Sequence, residues 1–297
     1  MKSPDFRIRT FLRRKFAKGR KSIKLGIRKN EHMYWVKKDI PRHRLRRWRT
    51  LRQSGRRTSI MNKKITFDAS AIEVIAFDLD GTLIDTSEAM YEVNHDVFEE
   101  AIANGDADEQ PSKETIRSVF GMTGEEAWKK VAPDMDESAQ ERYKKPHDDL
   151  LHRKMESRSY ALEGVPELLK RLSGTYELAT ASNCGEAYLD RVLRIDGLKG
   201  LIRYPLCAGS VGAQRKSEVL AELLRQSGRR PEQVLMVGDR KSDIDAALAV
   251  GMPSVGIRSA FAEPGELEKA NATVDHIGEL EHVLRPSAVG TSEPSRT

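Results

Sequence analysis

Short apolar runs that recur between helix-length amphipathic segments restrict the fold of this chain more than any other feature. Val74-Ile75-Ala76-Phe77 is the first run, Tyr176 to Ala181 the second, and Val234-Leu235-Met236-Val237 another. A weaker run lies near residues 204–208, and Val255-Gly256-Ile257 and Thr273-Val274 close the series. Unbroken apolar runs of this length suit strands buried on both faces, where neither side of the pleat meets water. The segments between them carry helical spacing: Val165, Leu168, Leu169 and Leu172, with Pro166 in the first turn; then Tyr188, Leu189, Val192 and Leu193. Val219, Leu220, Leu223 and Leu224 follow, and then Ile244, Ala247 and Leu248, stopped at Gly251. Strand and helix alternating at this spacing predict an α/β fold, a parallel sheet with helices on both faces. In such sheets ligands bind beyond the carboxyl ends of the strands. Polar residues at strand ends are therefore where function is sought.

One block breaks the rhythm. Thr86 or Ser87 is placed to cap a helix through Met90, Val93, Val97, Phe98 and Ala101, and Asn104-Gly105-Asp106 stops it. Residues 107–157 are polar and helix-like, with Ile116, Val119 and Phe120, then Ala127, Trp128 and Val131, then a charged stretch from Glu137 to Ser157. No strand signal occurs there. The block reads as a small helical bundle inserted after the first strand.

Charge divides the 297-residue chain more sharply than its net +6 suggests. Residues 1–60 hold 22 Lys and Arg against three acids, Asp5, Glu31 and Asp39, whereas the remainder carries 29 basic against 42 acidic side chains. The arm contains clusters such as Arg42-His43-Arg44-Leu45-Arg46-Arg47-Trp48-Arg49 but no helical stripe long enough to build a core. Contact with nucleic-acid phosphates, adhesion to an anionic membrane and an organellar presequence are three readings of it. A fourth is an extension outside the working protein, since Met61-Asn62-Lys63-Lys64 marks a natural start. Cys184 and Cys207 make no disulfide framework or CxxC spacing. No apolar run approaches the ~20 residues of a membrane helix, and no apolar segment follows the basic N-terminus. The body is expected to be soluble and cytoplasmic, with reduced thiols.

Four strand-end features carry the chemistry. Asp78 and Asp80 flank Leu79, so an extended backbone aims both carboxylates to one side. Two like charges that close are costly unless a cation lies between them or one keeps a proton, and a divalent metal with a phosphate group meets that demand. The others are Ser182-Asn183, Lys216, and Gly238-Asp239 with Asp243 four residues on. Each has a plainer reading alone, as a helix cap or a solvated charge. Their joint occurrence at strand ends, in this order, favours a site. Cys184 has no evident base and reads as a bystander thiol. His147, His152, Asp148 and Asp149 read as a charged helix surface rather than a metal cluster.

These residues resemble the haloacid dehalogenase-like hydrolase superfamily, and most closely its phosphoglycolate-phosphatase-type members. The DxDGT motif stands as Asp78-Leu79-Asp80-Gly81-Thr82, the strand-ending Ser or Thr as Ser182, the pre-helical Lys as Lys216, and GDxxxD as Gly238-Asp239-Arg240-Lys241-Ser242-Asp243. Gly164-Val165-Pro166-Glu167-Leu168-Leu169 matches the return from the cap in that family, and the likeness runs from about residue 74 to 284. Lys216 stands in Gln-Arg-Lys-Ser-Glu rather than Gly-Lys-Pro, which leaves Arg215 as its rival.

The resemblance implies a Rossmann-like three-layer core with an α-helical cap. Residues 63–86 and 158–285 would form the core and 87–157 the cap; outside the resemblance, composition leads to the expectation of a disordered basic extension at 1–62 and a disordered tail at 286–297. The resemblance implies a Mg²⁺-dependent phosphatase acting on a small phosphorylated substrate through an aspartyl-phosphate. Asp78 would be the nucleophile and Asp80 the general acid and base. Ser182, Asn183, Lys216, Gly81 and Thr82 would bind phosphate. Asp78, the Asp80 backbone carbonyl, Asp239 and Asp243 would hold the metal. Trp128 is expected in cap packing, and Gly121-Met122-Thr123-Gly124 as a cap loop over the site. A monomer or homodimer is expected, with nucleic-acid contact confined to residues 1–60. Sugar phosphomutases share the motifs, but several carry a His shortly after the first, and Thr86-Ser87-Glu88-Ala89-Met90 has none. Dehalogenation is disfavoured, because Asp80 would have no leaving oxygen to protonate. A nucleic-acid-associated protein acting through the basic arm is the alternative of a different class.

Overall fold

The computed structural model describes residues 11–13, 22–29 and 32–39 as backbone, and residues 65–156, 158–259 and 261–285 with their side chains. The chain divides into two units, Met1–Met61 and Asn62–Thr297. In the first unit β1 (Phe11–Arg13), β2 (Ser22–Lys29) and β3 (His32–Asp39) pair antiparallel in that order, with Leu25 opposite Val36. These segments carry no helical stripe: the alternation of Ile23, Leu25 and Ile27 with Lys24, Gly26 and Arg28 has period two. The basic cluster at 42–49, the junction at Met61 and the tail 286–297 lie outside the described residues.

The second unit is built on six parallel strands: β4 (Val74–Phe77), β5 (Glu177–Ser182), β6 (Tyr204–Cys207), β7 (Val234–Gly238), β8 (Ser254–Ile257) and β9 (Ala272–Val274). They lie side by side in the order β6-β5-β4-β7-β8-β9. The first strand of the unit is thus central, with Phe77 level with Thr180 on one side and Val237 on the other. Strand order reverses between β4 and β7, and the crevice beyond their carboxyl ends is where such a sheet takes a ligand.

Burial follows the pleat. Every residue of β4 is fully buried. Ile75 and Phe77 point to one face with Leu178, Leu235 and Val237, and Val74 and Ala76 to the other with Ala179, Val234 and Met236. The first face is covered by α5 (Val165–Leu172) and α6 (Glu186–Ile195), with apolar residues of α1 (Ser87–Asn104) in the same cluster, and the second by α8 (Lys216–Ser227) and α9 (Lys241–Ala249). A short α7 (Ala208–Val211) follows β6, and α10 (Leu280–Val283) is the last helix among the described residues.

Between β4 and β5 come α1, α2 (Lys113–Ser118), α3 (Gly124–Val131) and α4 (Glu137–Met155), with no strand among the described residues. Gly105, left-handed at φ 77°, stops α1 where the sequence predicts. Trp128 packs inside this bundle, stacked on Phe98 at 6.5 Å and edge-on to His147 at 5.5 Å. The outgoing and returning chains are tied together: the Asp85 amide donates to Tyr160 O at 2.9 Å, and the Leu162 amide to Leu83 O at 2.9 Å. Asp196, on the core side, accepts from the Ser159 hydroxyl and from the Tyr160 and Ala161 amides. Among the described residues no helix is long and apolar enough to cross a membrane.

Candidate active site

The Asp78 amide extends the ladder by donating to Val237 O at 2.9 Å, which sets Asp78 beside the end of β7 and so beside Asp239. One residue later the chain leaves the sheet. The amides of Thr82, Leu83 and Ile84 all donate to Leu79 O, and the Gly81 amide to Ile84 O, closing a tight loop. Gly81 sits at φ 85°, and a Cβ there would lie 2.3 Å from Asp239 Oδ2 and 2.9 Å from the Phe261 ring. Gly238 is equally constrained, since its Cβ would fall 2.2 Å from Asp243 Cγ. The two glycines let two carboxylate-bearing segments approach each other. Replacing Gly81 with Ala is expected to cost roughly 1–3 kcal/mol from the left-handed backbone alone, and to push Asp239 aside. Chemical denaturation and metal titration of that variant measure the two effects.

The structure brings Asp78, Asp239, Asp243 and Lys216 together. One carboxylate oxygen from each aspartate lies within 4.8 Å of the others, the one such acidic or His/Cys group among the described residues. The Lys216 ammonium donates to Asp78 Oδ1 at 2.7 Å and to Asp243 Oδ1. All four side chains are buried. Burial works against the ammonium, but the carboxylates of Asp243 and Asp78 outweigh it and hold its pKa above the usual lysine value. Burial, with the neighbouring charges of Asp243 and Asp78, pushes Asp239 up to about 8. Burial likewise raises Asp243 to about 6, with Lys216 pulling the other way. Arg215 is the outward-facing base: its side chain is 80% exposed and pairs with Glu218 at 3.4 Å. Of the two candidates, Lys216 is therefore the one beside the carboxylates. Asp78 Oδ2 is buried and has no hydrogen-bond partner among the described residues.

Asp80 lies apart from this cluster. Its Oδ1 accepts from Thr86 Oγ1 at 2.6 Å and from the Tyr188 hydroxyl at 2.8 Å. Its pKa is raised, because loss of water outweighs the two hydroxyl bonds. Burial and the Asp80 charge hold the Tyr188 phenol well above its ordinary value. Thr86 stands at the N-cap of α1, yet its side chain makes no capping bond. The hydroxyl that the sequence assigns to capping is diverted to Asp80, and the Ser87 amide is taken by Asp85 Oδ1 at 3.0 Å.

Asp239 is oriented by two further hydroxyls, Ser259 to Oδ2 at 2.5 Å and Thr82 to Oδ1 at 3.3 Å. The second oxygen of Asp243 accepts from the Arg240 amide at 2.9 Å. Ser182 is buried at the end of β5, and its hydroxyl accepts a long 3.4 Å bond from the Cys184 amide. Asn183 turns elsewhere: its Nδ2 donates to Gly121 O at 2.8 Å. Arg240 Nη1 donates to Phe120 O, also at 2.8 Å, and the same guanidinium pairs with Glu266. The loop at 119–124 is thus held against the strand ends, and a cleft of about 410 Å³ lies between Phe120, Met122, Asn183, Lys216 and Arg240. The Gly81 and Thr82 amides are committed inside their loop, whereas those of Leu79 and Asp80 have no partner among the described residues. The Cys184 thiol is held well above its usual pKa by its hydrogen bond with Cys207 and by burial, which disfavours the thiolate. His147 is buried against Trp128 and Asn94 rather than on the charged surface the sequence suggests, with Asp148 Oδ1 3.3 Å from its Nδ1, and Asp149 pairs with Lys145.

The sequence offers Thr86 as a helix cap, Tyr188 as a helix-face residue and Ser259 not at all, none of them as a site residue. Tyr188 sits at an ordinary helix-face spacing, and only the fold brings it to Asp80, 108 residues away.

The family model described as haloacid dehalogenase-like hydrolase matches residues 75–257. Among curated relatives, a tyrosine-protein kinase PtkA of Mycobacterium tuberculosis is 29% identical over 218 residues, spanning 68% of this chain and 67% of its own. A phosphoglycolate phosphatase of Mesorhizobium japonicum is 28% identical over 214 residues, spanning 70% of this chain and 92% of its own. Of solved structures, a haloacid dehalogenase-like family hydrolase of Streptococcus pneumoniae superposes with TM-score 0.63 at 21% identity, covering 73% of this chain and all of its own. A β-phosphoglucomutase of Clostridium difficile gives 0.59 at 19% identity, covering 72% and 97%. These structures share the fold. With the family model spanning more than half of its length, this chain belongs to the haloacid dehalogenase-like hydrolase family.

Proposed function

We propose that the protein is a Mg²⁺-dependent phosphatase that hydrolyses a small phosphomonoester through an aspartyl-phosphate on Asp78. The observation that carries this reading is the buried, unpaired Asp78 Oδ2 in a group of three carboxylates with one ammonium as counter-charge. Such a group is short of positive charge, and oxygen donors of this kind suit a hard divalent cation. Asp78 and Asp239, the Asp80 backbone carbonyl, and Asp243 directly or through a water would hold Mg²⁺. When bound, the ion would neutralise the carboxylates and polarise the phosphoryl group.

The remaining steps belong to the chain's own residues. The Asp78 carboxylate attacks phosphorus in line while Asp80 passes a proton to the leaving oxygen. Asp80, then ionised, takes a proton from the water that cleaves the acyl phosphate. Lys216 holds Asp78 in place and offers its charge to the phosphoryl oxygens. Ser182 and the amides of Leu79 and Asp80, which have no partner among the described residues, are donors for those oxygens, and Asn183 serves the loop contact as well. We assign the cap to residues 87–157 and the core to 63–86 and 158–285, with the cleft under Phe120 and Met122 receiving the organic part of the substrate.

The test is release of inorganic phosphate from p-nitrophenyl phosphate by the full chain, with and without Mg²⁺. Turnover that requires the ion is expected, and stripping the ion by a chelator should abolish it reversibly. One relative bears the name of a tyrosine-protein kinase and one structural neighbour that of a mutase. Phosphate appearing in water, rather than on an added acceptor, separates hydrolysis from transfer. A metal-independent rate equal to the Mg²⁺ rate would sink the proposal.

A further inference from the structure

We propose that Tyr188 is a positioning residue for the acid/base carboxyl of Asp80, fixing the transferable proton on Oδ2. The inference rests on the role given to Asp80 above. Tyr188 projects from α6, the core helix after β5, and its hydroxyl donates to Asp80 Oδ1 at 2.8 Å. The Thr86 hydroxyl donates to the same oxygen at 2.6 Å, and the two hydroxyls lie 3.2 Å apart. A carboxyl oxygen that already accepts two hydrogen bonds behaves as the carbonyl oxygen of the acid. The proton then belongs on Oδ2, which makes no hydrogen bond among the described residues. Thr86 starts the helix that leads into the insertion, whereas Tyr188 stands on a core helix and packs against the main apolar cluster. Tyr188 therefore fixes the Asp80 rotamer from the rigid side.

The consequence falls on one step. As Asp78 forms its bond to phosphorus, the bond from phosphorus to the ester oxygen breaks, and the proton on Asp80 Oδ2 passes to that oxygen. An alcohol leaves and Asp80 becomes a carboxylate. In the second step water adds to phosphorus, the acyl bond to Asp78 breaks, and the water's proton returns to Asp80. The first transfer matters in proportion to the basicity of the leaving oxygen. A p-nitrophenolate departs with little help, and an alkoxide departs only when protonated.

Replacing Tyr188 by Phe removes one oxygen and keeps the ring, so the helix packing is retained; thermal melting checks this. With the full chain and Mg²⁺, kcat/KM on an alkyl phosphomonoester is expected to fall about 100-fold, the lower range for loss of effective acid catalysis. On p-nitrophenyl phosphate it should change less than about 3-fold, with KM for both esters near that of the unaltered chain. Equal losses on the two esters would mean a structural role, and no loss on either would mean no role; both overturn the assignment. If the unaltered chain hydrolyses neither ester, the reading of the site itself fails and this inference with it, an outcome distinct from a failure of Tyr188 alone.

Discussion

Asp78→Asn is expected to leave a folded protein whose phosphate release falls by about 10⁴-fold or more, the scale seen when a member of a cooperating catalytic unit is removed. An amide has the shape of the carboxylate but cannot form the acyl phosphate. The structure makes this substitution a clean one. The Lys216 ammonium has a second carboxylate in Asp243, and the amide oxygen of the substituted side chain still accepts its hydrogen bond. The variant also loses one of three crowded negative charges. Its melting temperature in metal-free buffer should therefore equal or exceed that of the unaltered chain, while Mg²⁺ affinity falls because a ligand charge is gone. Phosphate assays, melting curves and calorimetric Mg²⁺ titration measure the three outcomes separately. Wild-type turnover in this variant would place the nucleophile elsewhere.

What the sequence made legible is what is encoded locally. The strands of the sheet are apolar runs because both faces are covered, and Val74–Phe77 and Val234–Gly238 occupy the two lines of sequence that end in carboxylates. Asp78, Asp239 and Asp243 could be named because each stands a fixed short distance from such a run. Lys216 could be named but not separated from Arg215: the two are adjacent at the start of α8, and only the fold decides which one turns inward. The hydroxyls of Thr86, Tyr188 and Ser259 left no local mark. A Thr before a helix looks like a cap, a Tyr on an amphipathic helix looks like core, and the partner of each is an aspartate in another segment. Contacts of Asn183 and Arg240 were beyond reach for a different reason. Their partners are the backbone carbonyls of Gly121 and Phe120, and a carbonyl has no residue identity to read.

Lys216→Met should have the largest effect on stability. The residue is 3% exposed and faces Asp78 and Asp243 at once. Methionine fills a similar volume but leaves the buried carboxylates without their ammonium, and removing one partner of a buried ion pair costs roughly 3–5 kcal/mol. The sign of the pH dependence follows from the same cluster. Asp239 and Asp243 have folded-state pKa values raised to about 8 and about 6, above an ordinary unfolded aspartate. Between the unfolded and folded values the native state binds the extra protons, so the metal-free protein loses stability as pH rises through that window. Without Lys216 the carboxylates repel one another with less compensation, their folded values rise further, and this slope steepens. The deficit of Lys216→Met relative to the unaltered chain should thus be largest near pH 8 and shrink toward pH 5. Saturating Mg²⁺ should restore part of the loss at the alkaline end, where the carboxylates are free of protons to receive it. Denaturant titrations at pH 5 and pH 8, each with and without the ion, give the four numbers required. A deficit that is the same at both pH values and indifferent to Mg²⁺ would assign Lys216 to packing rather than to the charge balance of the site.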